Sequence, residues 1–140
     1  MVAAIIERLA ELHELRTVDT AAAYAALEAP PPAGRCPAAY VIELGDDAGE
    51  NGIATGGVRQ RLTESVGVVL ILASVRDGRG AAASAELRPV RLAVRQALLG
   101  WAPDEAHDAI TYLGGALVAA ERGYVVWQDR YATRSTIRGG

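Results

Sequence analysis

The side chains able to do chemistry in this chain are few and far apart. His13 and His107 are the only histidines, and Cys36 is the only cysteine. No H-x-x-x-H spacing joins the histidines, so they make no zinc-ligand pair. A single cysteine forms no intrachain disulfide and no thiolate cluster, and Cys36, beside Pro37, reads as an inert thiol. All 14 basic residues are arginine, which removes Schiff-base chemistry and the lysine of a P-loop. Without that loop, "DEAH" at 104–107 does not read as the magnesium motif of helicases. Asp104 reads instead as the cap of a short turn after Trp101, Ala102 and Pro103.

The remaining candidates fail on spacing. "DGRGAAAS" at 77–84 has Ala83 where a dinucleotide fingerprint needs its third glycine, and reads as a plain strand-to-helix connection. No serine sits in a G-x-S-x-G elbow. Asp46, Asp47 and Glu50 lack the calcium-loop pattern and read as a solvated acidic loop. No catalytic, cofactor-binding or metal-ligating residue is selected. A net charge of −3 argues against sequence-independent nucleic-acid binding, whose affinity comes from cations meeting phosphates. Glu7, Glu11 and Glu14 break any signal-peptide apolar region, and "VGVVLILAS" is about half a membrane span. The expectation is a soluble protein made in a cytoplasm, with no membrane partner.

What must position any function is a small α+β domain. A chain of 140 residues is one domain, 1–140, long enough for a core of its own. That core is aliphatic, because hydrophobic residues make up 51% of the chain and aromatics only 5%. Residues 2–16 carry Val2, Ile5, Ile6, Leu9 and Leu12 on one helical stripe, with His13 at its edge. A short helical turn over 21–27 is stopped by Pro30, Pro31 and Pro32. A strand follows at 38–44, then a glycine- and acid-rich loop at 45–57 that is expected to be mobile. The strand at 58–74 alternates in "VRQRLTES" and then becomes apolar on both faces, so it starts exposed and ends mid-sheet. A second helix spans roughly 84–99 with Gly100 as its stop; Pro89 is awkward inside it, and a start nearer Arg88, with proline in the first turn, is the other reading. Strands at 110–119 and 123–136 complete an α-β-β-α-β-β order, Gly114–Gly115 suggesting a bulge. The economical arrangement is a mostly antiparallel four-stranded sheet with two main helices packed on one face.

The informative part is surface. Leu87, Val90, Val94, Ala97, Leu98 and Trp101 form the core stripe of the second helix, while Leu92 and Leu99 point away from it among arginines. The terminal strand, "GYVVWQDRYATRSTIRGG", sets Trp127, Asp129 and Tyr131 against Gln128, Arg130 and Arg134. These are residue types enriched at interfaces.

The C-terminal half, "ALLGWAPDEAHDAITYLGGALVAAERGYVVWQDRYATRSTIR" (97–138), resembles the tail terminator (tail completion) proteins of long-tailed phages and prophages. The "LLGWAP" turn and the "YLGGAL" and "WQDRYAT" strands carry the resemblance, and size and element order agree over the whole chain. The resemblance implies a structural protein without catalysis or cofactor. It implies a homohexameric ring on the end of the tail tube that stops tube growth and offers the surface for head joining. The implied partners are the protein itself, the tail tube protein and a head–tail connector protein. The implied place is the head-proximal end of the virion tail, reached from the host cytoplasm during assembly. On that reading the oligomer or tail-tube interface is expected to draw on Arg59, Arg61, Leu92, Leu99, Trp127, Asp129, Arg130, Tyr131 and Arg134. Trp127 or Tyr131 would be the anchor, and Arg130 would pair with a neighbour's carboxylate. Two other readings stand beside it: a small dimeric ligand-binding or catalytic α+β domain, and a head-side connector or neck protein.

Overall fold

The computed structural model describes residues 1–73 and 81–140. Its centre is one sheet in the spatial order β1 (Thr17–Thr20), β2 (Ala38–Ala48), β3 (Val58–Ala73), β5 (Tyr124–Gly139), β4 (Thr111–Glu121). Only β1 and β2 run parallel; every other neighbouring pair is antiparallel. Among the described residues the sheet therefore has five strands, not the four expected. The added strand is Thr-Val-Asp-Thr, too short and too polar to show alternation. Its backbone is set beside β2 where Arg16 and Thr17 both donate to the Pro37 carbonyl, at 2.8 and 3.4 Å.

Helix α1 (Val2–Ala10) and helix α3 (Ala81–Leu98) lie on one face of the sheet. Ile5 and Leu9 from α1 and Val90, Val94 and Leu98 from α3 are buried there against Val66, Val68, Leu70 and Leu72 of β3. Each such burial is worth roughly 1.5–3 kcal/mol. Arg8 ties the two helices together: its Nε donates to the Ala97 carbonyl of α3 at 2.5 Å, and its guanidinium lies 4.6 Å from the Trp101 ring centre. The alternate residues of β3, Val69 and Ile71, face the other way, where Tyr24 of the short helix α2 (Ala21–Ala25) packs on Tyr40 at 5.4 Å. A strand covered on both faces must be apolar on both, which is why 66–72 carries no charge.

Helix α1 stops at Ala10, short of the expected 16, and leaves His13 exposed. Helix α3 begins at Ala81, and Pro89 sits inside it. Proline gives no hydrogen bond to the carbonyl of Ala85, but both residues are exposed and water can serve that oxygen. Of the glycine turn read at 77–84, residues 77–80 lie outside the described residues, as does Ser74 at the end of the expected strand.

The acidic loop is the largest departure from expectation. After an extra residue at Leu44, β2 continues through Ala48, which pairs with Leu62. The residues that follow are tied down by Asn51. Its side-chain oxygen accepts from the amides of Ile53 (3.1 Å) and Arg59 (2.9 Å), and its amide donates to the Gly57 carbonyl at 3.2 Å. Together β2, β3 and β5 form an arm: none of residues 58–65 or 134–139 is buried. Asn51→Ala should free the arm's tip. Amide exchange at Ile53 and Arg59 is expected to accelerate about fivefold, the equivalent of roughly one net hydrogen bond of 1 kcal/mol. Unchanged protection there would count against Asn51 as the tie.

Candidate functional site

Residues directly opposite in adjacent strands share a face. Tyr131 lies opposite Val66, Asp129 opposite Val68 and Trp127 opposite Leu70, so all three turn towards the helices. Arg130 lies opposite Gly67, and Arg134 opposite Thr63, on the outer face. This register corrects two expectations. Asp129 is 0% exposed and Tyr131 1% exposed, so neither is available on the protomer surface for a neighbour.

Asp129 is buried because a network closes around it. Arg91 of α3 reaches its carboxylate through Nε (3.1 Å to Oδ2) and Nη2 (3.0 Å to Oδ1). The Tyr112 hydroxyl and Trp127 Nε1 each donate to Oδ1 at 2.9 Å. Gly115 leaves the room: a Cβ there would lie 2.1 Å from Asp129 Oδ1. The Arg91 guanidinium also stacks 4.3 Å from the Trp127 ring centre, and Arg95 stacks 4.5 Å from that of Tyr112. The hydrogen bond to Asp129 outweighs desolvation and pushes the Arg91 pKa up, so its charge is permanent. Tyr131 packs edge-on against Tyr112, and burial followed by the nearby Asp129 charge pushes its hydroxyl pKa far up. This network fastens α3 to the β4–β5 edge. Trp127 is half-buried in it, its indole nitrogen already committed.

Beyond the network lies an open sheet edge. Among the described residues, strand β4 pairs with β5 on one side only. Bulges at Leu113 and Val118 twist it, the first beside the expected glycine pair. Leu113 (49% exposed), Leu117 (55%) and Val118 (52%) stand along this edge. Leu92, 50% exposed as its position outside the core stripe predicts, borders a groove of about 440 Å³ with Arg88, Arg91 and Arg95. Leu99 is also exposed and bridges to Ile110.

The outer face of β3 and β5 is cationic. Arg59 lies opposite Arg138, Arg61 opposite Thr136, and Arg134 and Arg130 continue the row. Arg61 pairs with Asp108 and donates to Thr136 Oγ1 at 2.9 Å. Among the described residues, Arg59, Arg130, Arg134 and Arg138 have no ion-pair partner.

The "DEAH" segment acts as a latch between body and arm. Asp104 Oδ1 accepts from the Ala106 amide at 2.8 Å and lies 2.7 Å from His107 Nδ1. His107 Nε2 lies 2.6 Å from Glu64 Oε2 on the arm, and Ser135 donates to the same oxygen at 3.1 Å. Desolvation lowers the His107 pKa, but the bonds to Asp104 and Glu64 outweigh it and the net shift is upward. A raised histidine pKa contributes stability fully below about 6.5, the ordinary value, and that contribution is lost as pH rises through the raised one. The melting-temperature gap between wild type and His107→Gln should therefore be widest between the carboxylate range and about pH 6.5, and narrow above it. A partly buried charge-assisted bond to Glu64 is worth about 1–2 kcal/mol there. A gap that is flat with pH would remove the latch.

The buried charges thus fasten the chain's own parts together, while an apolar strand edge and a charged arm stay exposed among the described residues. Over residues 1–139 the chain matches the phage tail terminator protein family, and it belongs to that family. It is thus a structural protein of the phage-tail class and not an enzyme. Its fold is similar to a chain in the virion of a native gene transfer agent particle, with a TM-score of 0.61 and 17% identity. That likeness covers 98% of this chain and 95% of the other. No curated protein matches it. No helix among the described residues is long and apolar enough to cross a membrane.

Proposed function

We propose that the protein closes into a homohexameric ring on the end of the tail tube, stops tube polymerisation and presents the surface for head joining. The observation that carries this reading is the unpaired, apolar edge of β4 beside Leu92. An exposed, 11-residue strand edge with three half-exposed aliphatic side chains is a hazard for a monomer and a template for a neighbouring chain. A ring contact is heterologous, so the patch that covers this edge is a different part of the next copy. Of the expected interface residues, Leu92 and Leu99 flank the apolar side, and Arg59, Arg61, Arg130 and Arg134 lie on the arm. Trp127 supports the edge from beneath rather than anchoring a neighbour. The tail tube protein and a head–tail connector are the partners on the two ring faces, at the head-proximal end of the tail, after assembly in the host cytoplasm.

Native mass of the purified protein, with negative-stain images of it mixed with tail tubes, tests the reading. Rings seated on tube ends are expected. A protein that stays monomeric or dimeric and leaves tube ends bare would overturn it.

A further inference from the structure

The arm has opposite charges on its two faces. On the outer face Arg59, Arg61, Arg134 and Arg138 stand with one carboxylate from the paired strand residues, Asp47, opposite Thr63, while Asp108 from outside the arm pairs with Arg61. Arg59 and Arg138 are directly opposite each other, a like-charge pair that costs stability in an isolated sheet. Among the described residues, the reverse face carries no arginine. There Glu43 lies opposite Val66 and Asp46 opposite Glu64. These three carboxylates line one hollow with Met1 of the helix layer. Glu64 is engaged by His107, whereas Glu43 and Asp46 are exposed and unpaired among the described residues.

We infer that in the assembled ring the arginine face of each arm is covered by the carboxylate face of the next copy's arm, Arg59, Arg134 and Arg138 meeting Glu43 and Asp46. This rests on the ring reading and names a contact within it. A head-to-tail ring needs two unlike patches on each copy, and the arm supplies both, back to back. Guanidinium groups pair with carboxylates in forked, charge-assisted bonds, and a facing carboxylate offsets the Arg59–Arg138 repulsion. The row of arginines is also the kind of surface that meets nucleic-acid phosphates. A second copy is favoured because the chain is acidic overall, at −3, and exposed carboxylates stand on the opposite face of the same thin arm. A phosphate backbone drawn to one face would be repelled by the other at a distance of about one Debye length, ~8 Å at physiological salt.

Charge reversal tests the contact. Arg134→Glu/Arg138→Glu makes both arm faces acidic, and Glu43→Arg/Asp46→Arg makes both basic. Each variant alone, folded by circular dichroism, is expected to assemble at least about tenfold more weakly than wild type. An equimolar mixture is expected to recover rings in which the two variants alternate. If a reversal unfolds the arm, Arg134→Gln/Arg138→Gln takes its place, and weaker assembly with a shallower salt dependence is expected. Wild-type assembly by each folded variant, or a mixture no better than its parts, overturns the contact while leaving the ring intact. A ring unchanged by Arg134→Glu/Arg138→Glu, with lost retention of duplex DNA, overturns it in favour of a polyanion. A wild type that never assembles, with or without tubes, removes the ring and this contact together.

Discussion

Asp129→Ala is expected to lower stability by about 3–5 kcal/mol, the usual cost of removing one side of a buried ion pair. The change strands more than Arg91. The Tyr112 hydroxyl and the Trp127 indole also lose their acceptor, and little water can replace it because Asp129 is 0% exposed. Against a typical total of about 5–15 kcal/mol, that is a large fraction, and the melting temperature should fall by roughly 10–20 °C. Gly115→Ala should act on the same network from the other side. Its new methyl would sit 2.1 Å from Asp129 Oδ1, and the carboxylate cannot retreat without leaving Arg91. Combined with Arg91→Ala, the Asp129→Ala loss should be markedly less than additive, because both remove the same bonds. Losses below about 1 kcal/mol for Asp129→Ala would mean that the network is decoration on an already sufficient apolar core.

This network also marks how far the sequence could be read. The alternation of Trp127, Asp129 and Tyr131 against Gln128, Arg130 and Arg134 was plain, but alternation does not say which side is inside. A side bearing an aspartate looks like the outer one. It is the inner one because Arg91, 38 residues away in the chain, arrives from a helix to neutralise it. No local pattern announces that pairing. The same holds for the arm: Asn51 closes a loop that composition alone marks as mobile, through bonds whose value depends on the strand register already being set. What periodicity does fix was legible. The apolar run 66–72 is covered on both faces, and Val90, Val94 and Leu98 enter the core while Leu92 and Leu99 stay outside. The strand β1 was missed because four residues are too few to show a period. "YLGGALVAA" has the composition of an interior strand, yet β4 stands at the sheet edge. That mismatch between apolar composition and edge position is what makes β4 the centre of the proposed assembly.

Leu92→Glu/Leu117→Glu is expected to abolish ring formation while leaving the protomer folded. Both side chains are about half exposed, at 50% and 55%, so neither change opens a hole in the core. Leu92 stands on α3 next to Arg91, and Leu117 stands opposite Trp127 on β4, the ring on which Arg91 stacks. A neighbour covering that stack would bury both leucines, each worth about 1.5–3 kcal/mol. Replacing them with carboxylates removes that contribution and adds desolvation of two charges, so assembly should weaken by at least about a hundredfold. The loss should persist at high salt, because the contact proposed at this edge is apolar. The proposed arm contact differs: its loss on charge reversal should track ionic strength. Matched circular dichroism and native mass across a salt series separate the two surfaces. In a cell producing tails, the leucine variant should give tubes of irregular length, with their ends unstopped. A folded variant that keeps the wild-type oligomer would show that the β4 edge faces something other than its own neighbour. An unfolded one would mean that Leu92 and Leu117 hold α3 on the sheet, and the single substitutions would then show which of them does.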